Sequence, residues 1–177
     1  MGRVLTNGTW LRVEPAEVAL FSGLGTSDIK WGDVPYDQKS GYSFEGHLTD
    51  LKLDGTDFLL GTFTHHNNVI PIGKDWQFAL YLTIILNFDD GNLQHPLPQL
   101  RFHHDETLNQ GPQPEDIVDL PKIDDFDLIY VDNVEYRMSI SGFWWNKRKV
   151  TQFTSPENSS NSAGVFATIK PTGRQGG

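Results

Sequence analysis

"FALYLTIILNF", residues Phe78–Phe88, is the stretch whose reading decides the fold. Phe78, Leu80, Leu82, Ile84, Leu86 and Phe88 alternate with Ala79, Tyr81, Thr83, Ile85 and Asn87. A period of two marks a strand, because successive side chains leave opposite faces of a sheet. The first set predicts one buried face of a central strand. The second set is mixed and reads as a face covered by other parts of the chain. "DDGN", Asp89–Asn92, follows with turn-forming residues and ends the run.

The same alternation recurs on both sides. It predicts strands at Thr9–Val13, Ser43–Leu48, Phe58–Thr64, Gln99–His104, Phe126–Val131, Glu135–Phe143, Val150–Thr154 and Ala163–Lys170. Asp132-Asn133 separates two alternating runs, which predicts a hairpin over Phe126–Phe143. Many short strands divided by Gly, Pro, Asn and Asp predict an all-β fold. The expected architecture is an antiparallel β-sandwich, jelly-roll-like, with few or no helices. Gln110–Asp125, with Pro112, Pro114 and Pro121, reads as an acidic loop, and "SPENSSNS", Ser155–Ser162, as a polar surface loop. Residues 1–170 read as a single domain and 171–177 as a flexible tail.

Composition narrows the function classes. One domain of 177 residues, with 11 Phe, 5 Trp and 5 Tyr, can bury a core without staples. The absence of Cys excludes disulfides and thiolate zinc sites. A net charge of −9 argues against nucleic acid and anionic membrane surfaces as partners. No stretch approaches the roughly 20 apolar residues of a spanning helix. The opening "MGRVLTNGTW" has no apolar signal core. The expected location is therefore cytoplasmic for a free-standing chain, and extracellular or cell-surface if the domain was cut from an exported parent.

Seven stretches, in this order, resemble the bacterial choice-of-anchor K domain family. They are "GTW" at Gly8–Trp10, "FSGLGTSDIKWG" at Phe21–Gly32, "SGYSFEG" at Ser40–Gly46, "GTFTHHNNVI" at Gly61–Ile70, "LRFHHDETLN" at Leu100–Asn109, "VEYRMSISGF" at Val134–Phe143 and the late "ENSSNSAGVFATI". The resemblance implies an all-β domain of exported or surface-anchored bacterial proteins, without a settled enzymatic activity. The Pro usual in that family after the two asparagines is Val69 here.

Two polar clusters interrupt the apolar strands. In "THHNN", alternation puts His65 and His66 on opposite faces, and Asn67-Asn68 supplies a bend. One reading is a hydrogen-bonded staple for a loop, and the other a ligand or ion pocket lined by His65 and Asn67 or Asn68. In "HDETLN", Asp105 before Thr107 has the form of an Asx turn or helix cap. The alternative is calcium, with Asp105, Glu106 and Asn109 as oxygen ligands and Glu115, Asp116 and Asp119 nearby. Zinc would instead use His65, His104 and Asp105. Both clusters end strands, which predicts that they lie side by side: His65, Asn67 or Asn68 near His104, Asp105 or Glu106.

Trp144 and Trp145, beside Lys147, Arg148 and Lys149, offer a surface for a sugar ring or a protein partner; otherwise they cover the core. There is no phosphate loop, nucleophile elbow, H-E-x-x-H or Cys nucleophile. The chain reads as a non-enzyme. The expected function is a recognition or interaction module for a protein or carbohydrate ligand. The alternative is a structural or accessory subunit of a bacterial assembly, with a hydrolase last.

Overall fold

The computed structural model describes residues 2–88, 94–108, 115–122 and 126–175. The expected turn at Asp89–Asn92 lies outside them, as does Asn109. The described residues form fifteen strands. The first seven are β1 (Arg3–Glu14), β2 (Phe21–Ser22), β3 (Asp28–Trp31), β4 (Ser40–Gly46), β5 (Leu48–Asp50), β6 (Phe58–Asn67) and β7 (Trp76–Phe88). Then come β8 (Gln94–Pro96), β9 (Leu100–Glu106), β10 (Asp116–Asp119), β11 (Phe126–Val131) and β12 (Val134–Trp145). The last are β13 (Arg148–Val150), β14 (Gln152–Ser155) and β15 (Ser159–Gln175). Helix is confined, among the described residues, to two 3-10 turns at Ala16–Val18 and Tyr36–Gln38.

The strands form two curled antiparallel sheets that face each other as half-barrels. One runs β14-β10-β9-β7-β1-β5, with β8 also on β7. The other runs β11-β12-β15-β6-β4-β3-β2, with β13 also on β12. β7 lies between β1 and β9, so its inner face is central. Phe78, Leu80, Leu82, Ile84 and Leu86 are buried there, as their alternation requires. Phe88 is only partly buried, because it ends the strand at the rim of the sheet, opposite Val4. Ala79 and Thr83 are buried on the other face, and the turn at Ala16–Val18 packs against this strand.

The space between the sheets is filled by rings. Trp10, Trp31, Tyr42, Phe63, Phe102, Phe143 and Phe153 are all fully or almost fully buried. Phe63 and Phe102, from opposite sheets, have ring centroids 4.6 Å apart. A polar link also crosses the gap: the buried Thr6 hydroxyl of β1 donates to the Leu60 carbonyl of β6 and accepts from the His47 amide at 2.9 Å. Glycine permits the close approach beside it, since a Cβ on Gly46 would lie 1.8 Å from the Thr6 carbonyl oxygen.

The Asp132-Asn133 hairpin forms as expected. Both residues take left-handed backbone angles, φ 51° and 61°, which Asp and Asn tolerate. Asn146 and Lys147 make the same kind of turn between β12 and β13. A bulge with Gly142 at φ 143° shifts the register of β12, leaving both Ile140 and Phe143 buried.

Three sequence expectations need correction. Asp116–Asp119, read as part of a loop, is β10, paired on both sides by β9 and β14. The polar stretch Ser155–Ser162 is mostly strand, with the turn confined to residues 156–158. Residues from Pro171 to Gln175, expected as a tail, continue β15, and Gln175 stands opposite Val134. The backbone amides and carbonyls of β12 offer a ladder there, and that pairing holds the segment. No helix among the described residues is long and apolar enough to cross a membrane.

Candidate functional site

β6 carries His65 and Asn67 on its inner face and His66 on its outer face. His65 and Asn67 are buried. His66 instead contacts Ser43 and Ser160, each 3.0 Å away, on the outside of the sheet. Across the gap, β9 presents His104 and Glu106 inward, both fully buried. The expected juxtaposition of "THHNN" with "HDETLN" is present: the His65 and His104 rings have centroids 5.0 Å apart. β10 adds Asp116, fully buried, and the turn after β14 adds Glu157, partly buried.

The distances describe a convergent polar centre inside an aromatic wall. His104 Nε2 lies 3.2 Å from Glu106 Oε2 and 3.7 Å from Asp116 Oδ2. His65 Nε2 lies 3.9 Å from the same Asp116 oxygen. Two further side chains hold these groups in place. The Trp31 indole N–H donates to Glu106 Oε2 at 2.6 Å, and Tyr42 Oη is 2.8 Å from His104 Nδ1. The Trp31 ring also stacks on His65, 16° from parallel. Asp116 Oδ1 accepts from the Thr107 amide at 3.0 Å.

Several polar atoms in this centre have no hydrogen-bond partner among the described residues. They are both nitrogens of His65, Glu106 Oε1, Asp116 Oδ2, Asn67 Oδ1 and both carboxylate oxygens of Glu157. Burial of an unpaired polar atom is costly, so such a concentration calls for a physical cause. Electrostatics agrees with the geometry. Burial pushes His65 well below its ordinary value, aided by His104, and pushes His104 down to about 3. Burial raises Glu106 to about 7 against the opposing Trp31 hydrogen bond. It raises Asp116 to about 9, with the Glu106 charge adding to it, and Glu157 to about 7. The residues form two sets able to chelate a metal ion: His65, His104 and Asp116, and Glu106, Asp116 and Glu157.

The remaining expected site residues fall elsewhere. Asp105 points to the outer face of β9, 3.4 Å from His103 Nε2, because β9 extends to Glu106 and alternation separates the two carboxylates. It therefore cannot share a site with Glu106, and the calcium and zinc sets containing Asp105 are not assembled. Asp105 also caps no helical turn, since the Thr107 amide bonds Asp116 instead. Asn68 acts as a staple: its amide donates to the Lys39 carbonyl at 2.8 Å, and its backbone N–H to Ser40 Oγ at 3.1 Å. Asn67 combines both readings, donating to the Ser155 carbonyl at 2.7 Å while its oxygen stays unpaired in the centre.

Trp144 and Trp145 leave opposite faces of β12 near its end. Trp144 packs on Phe166 and Trp145 on Phe153, and each keeps more than a third of its surface exposed. Neither is a core residue, since the strand ends at the Asn146-Lys147 turn. A separate cleft of about 1160 Å³ opens between the sheets. Leu97, Leu100, Leu120, Met138, Ile140 and Phe143 supply buried apolar lining, and Arg101, Asp119, Lys122 and Lys149 are among its polar lining. Asp127, also lining it, meets His95 at 2.7 Å and so joins β8 of one sheet to β11 of the other.

Sequence reasoning did not commit to Asp116, Glu157, Trp31 or Tyr42. The signal for Asp116 was weak, a four-residue "DIVD" among prolines and acids. Glu157 sat in a stretch that reads as solvated. No family model matches the chain, and no curated protein matches it.

Proposed function

We propose that this all-β half-barrel sandwich is a recognition module, non-enzymatic, that grips a segment of a partner protein in the cleft between its sheets. The observation that carries this reading is the cleft itself: an apolar floor with flexible Met138 in it, bordered by charges of both signs. An aliphatic side chain would fill the floor while its polar flanks meet Arg101, Asp119, Lys122 and Lys149. A peptide segment suits that lining better than a carbohydrate, because no exposed aromatic ring lines it among the described residues. A sugar would find exposed rings outside the cleft, at Trp144 and Trp145 among others. The resemblance to choice-of-anchor K domains supports a bacterial parent that is exported or held at the cell surface.

The test is selection from a displayed peptide library alongside a glycan array. Selected peptides should lose binding to Ile140→Arg and keep it to Trp144→Ala. Binding of glycans alone, lost in Trp144→Ala, would move recognition to the aromatic surface. A second reading, an accessory subunit of a bacterial assembly, is favoured by one feature. Leu5 and the edge-strand residue Leu48 stand opposite each other, 45% and 55% exposed. Self-association that disappears in Leu48→Lys would support it.

A further inference from the structure

We infer that His65, His104 and Asp116 hold one divalent first-row transition-metal ion, with Glu106 or Glu157, which converge on the same Asp116, closing the shell. This centre lies outside the cleft, so the inference stands apart from the recognition reading.

The geometry carries it. Ligands about 2.0–2.2 Å from a common tetrahedral ion stand roughly 3.3–3.6 Å apart. The observed separations are 3.2 Å from His104 to Glu106, 3.7 Å from His104 to Asp116 and 3.9 Å from His65 to Asp116. They bracket that range and need only small side-chain adjustment. The last is too long for a hydrogen bond, and among the described residues the fully buried His65 has no other hydrogen-bond partner for either nitrogen. Protonation of His65 would not satisfy it, since none of those residues places an acceptor within reach. A cation bound between His65 Nε2 and Asp116 Oδ2, off their line toward His104, would satisfy both orphaned atoms at once. Glu106 Oε1 and the two Glu157 oxygens are further unpartnered acceptors around the same carboxylate.

The donor set chooses the ion. Calcium and magnesium take oxygen ligands, whereas two imidazoles with carboxylates suit zinc, manganese, iron or cobalt. Supporting contacts of the expected kind are present. Tyr42 Oη can accept a hydrogen bond from His104 Nδ1–H, which leaves the Nε2 lone pair for the metal, and Trp31 fixes Glu106. A shell filled by protein side chains leaves no open position, so the role is structural. The ion would fasten β6 of one sheet to β9 and β10 of the other. Glu157, the one partly exposed member, marks the entry path.

The experiment uses the full chain stripped with chelator, titrated with zinc, cobalt(II) or calcium. One equivalent of zinc should bind by calorimetry and raise the melting temperature. Cobalt(II) should give visible d–d bands typical of nitrogen and oxygen ligation, and calcium should do neither. Asp116→Asn and His104→Gln should abolish the bands. Should either variant fail to fold, Tyr42→Phe and Glu157→Gln decide the matter. Tyr42→Phe should weaken zinc roughly 10–100-fold with unchanged far-UV circular dichroism, and Glu157→Gln should speed metal loss to chelator. Three results would overturn the assignment: no zinc or cobalt binding, cobalt bands that persist in folded Asp116→Asn, or stabilisation by calcium but not by zinc.

Discussion

His65 Nε2 and Asp116 Oδ2 face each other at 3.9 Å across the gap between the two sheets, and neither side chain is exposed to solvent. A histidine and a carboxylate in such isolation normally close to a hydrogen bond, because each otherwise loses its hydration without return. Here the strands hold them apart. The spacing is set by β6 on one side and β10 on the other, not by the pair's own attraction.

That isolation makes the metal-free protein pH-sensitive. Folding raises the Asp116, Glu106 and Glu157 values, so the folded state favours their protonated forms. Their contribution is fully present below the unfolded carboxylate range and is lost as pH rises toward the folded values, about 7 and about 9. The lowered histidines act oppositely: theirs is lost as pH falls below the ordinary 6.5. Above pH 6.5 only the carboxylates still titrate. Stability of the chelator-treated protein should therefore decline from pH 6.5 to 9, and decline less in Asp116→Asn. Urea unfolding across that range measures it, and a rising or flat profile in the wild type would contradict it.

Leu82 is wholly buried at the middle of β7. Leu82→Ala should cost about 2–5 kcal/mol from lost transfer energy and the cavity left behind. Thr83→Ala, on the other face, should cost less. Chemical denaturation of both variants gives the comparison.

Thr6 makes one of the polar contacts that cross between the sheets. In Thr6→Val the shape survives, but the Leu60 carbonyl and the His47 amide lose their hydroxyl partner. A loss of roughly 1–3 kcal/mol is expected, the penalty for buried groups left unpaired. A neutral result by denaturation would mean that water replaces the hydroxyl.

Asn133 sits at φ 61° in the β11–β12 turn, a region that a β-branched residue rarely enters. Asn133→Val should destabilise by about 1–2 kcal/mol, while Asn133→Gly should be neutral or slightly stabilising. Melting curves of the two variants should separate in that order.

Much of the fold was legible because β7 repeats its alternation over many residues, and most strands show a shorter form of the same period. β3 and β10, four residues each, are too short for alternation to declare itself, and Ile117-Val118 passes easily for a loop among prolines. The polar centre was half legible. His65 and His104 announced themselves as dense polar groups where apolar strands end. Asp116 and Glu157 did not, because their approach is fixed by the sheet order β14-β10-β9, which no local pattern encodes. Asp105 leaves the site for a simpler reason: β9 runs two residues beyond His104, and in a strand neighbouring carboxylates must part.

β15 enters the larger sheet between β12 and β6, although it follows both in sequence. Until residues 159–175 have left the ribosome, that sheet exists only as two unconnected pieces, β2-β3-β4-β6 and β11-β12. The edge of β6 that carries His65 then has no neighbour on one side, and the edge of β12 is equally bare. Such edges are templates for the wrong strand. Pairings this distant in sequence also close slowly, because the intervening chain must first be ordered. The nascent chain therefore carries two bare sheet edges until β15 pairs with both β12 and β6.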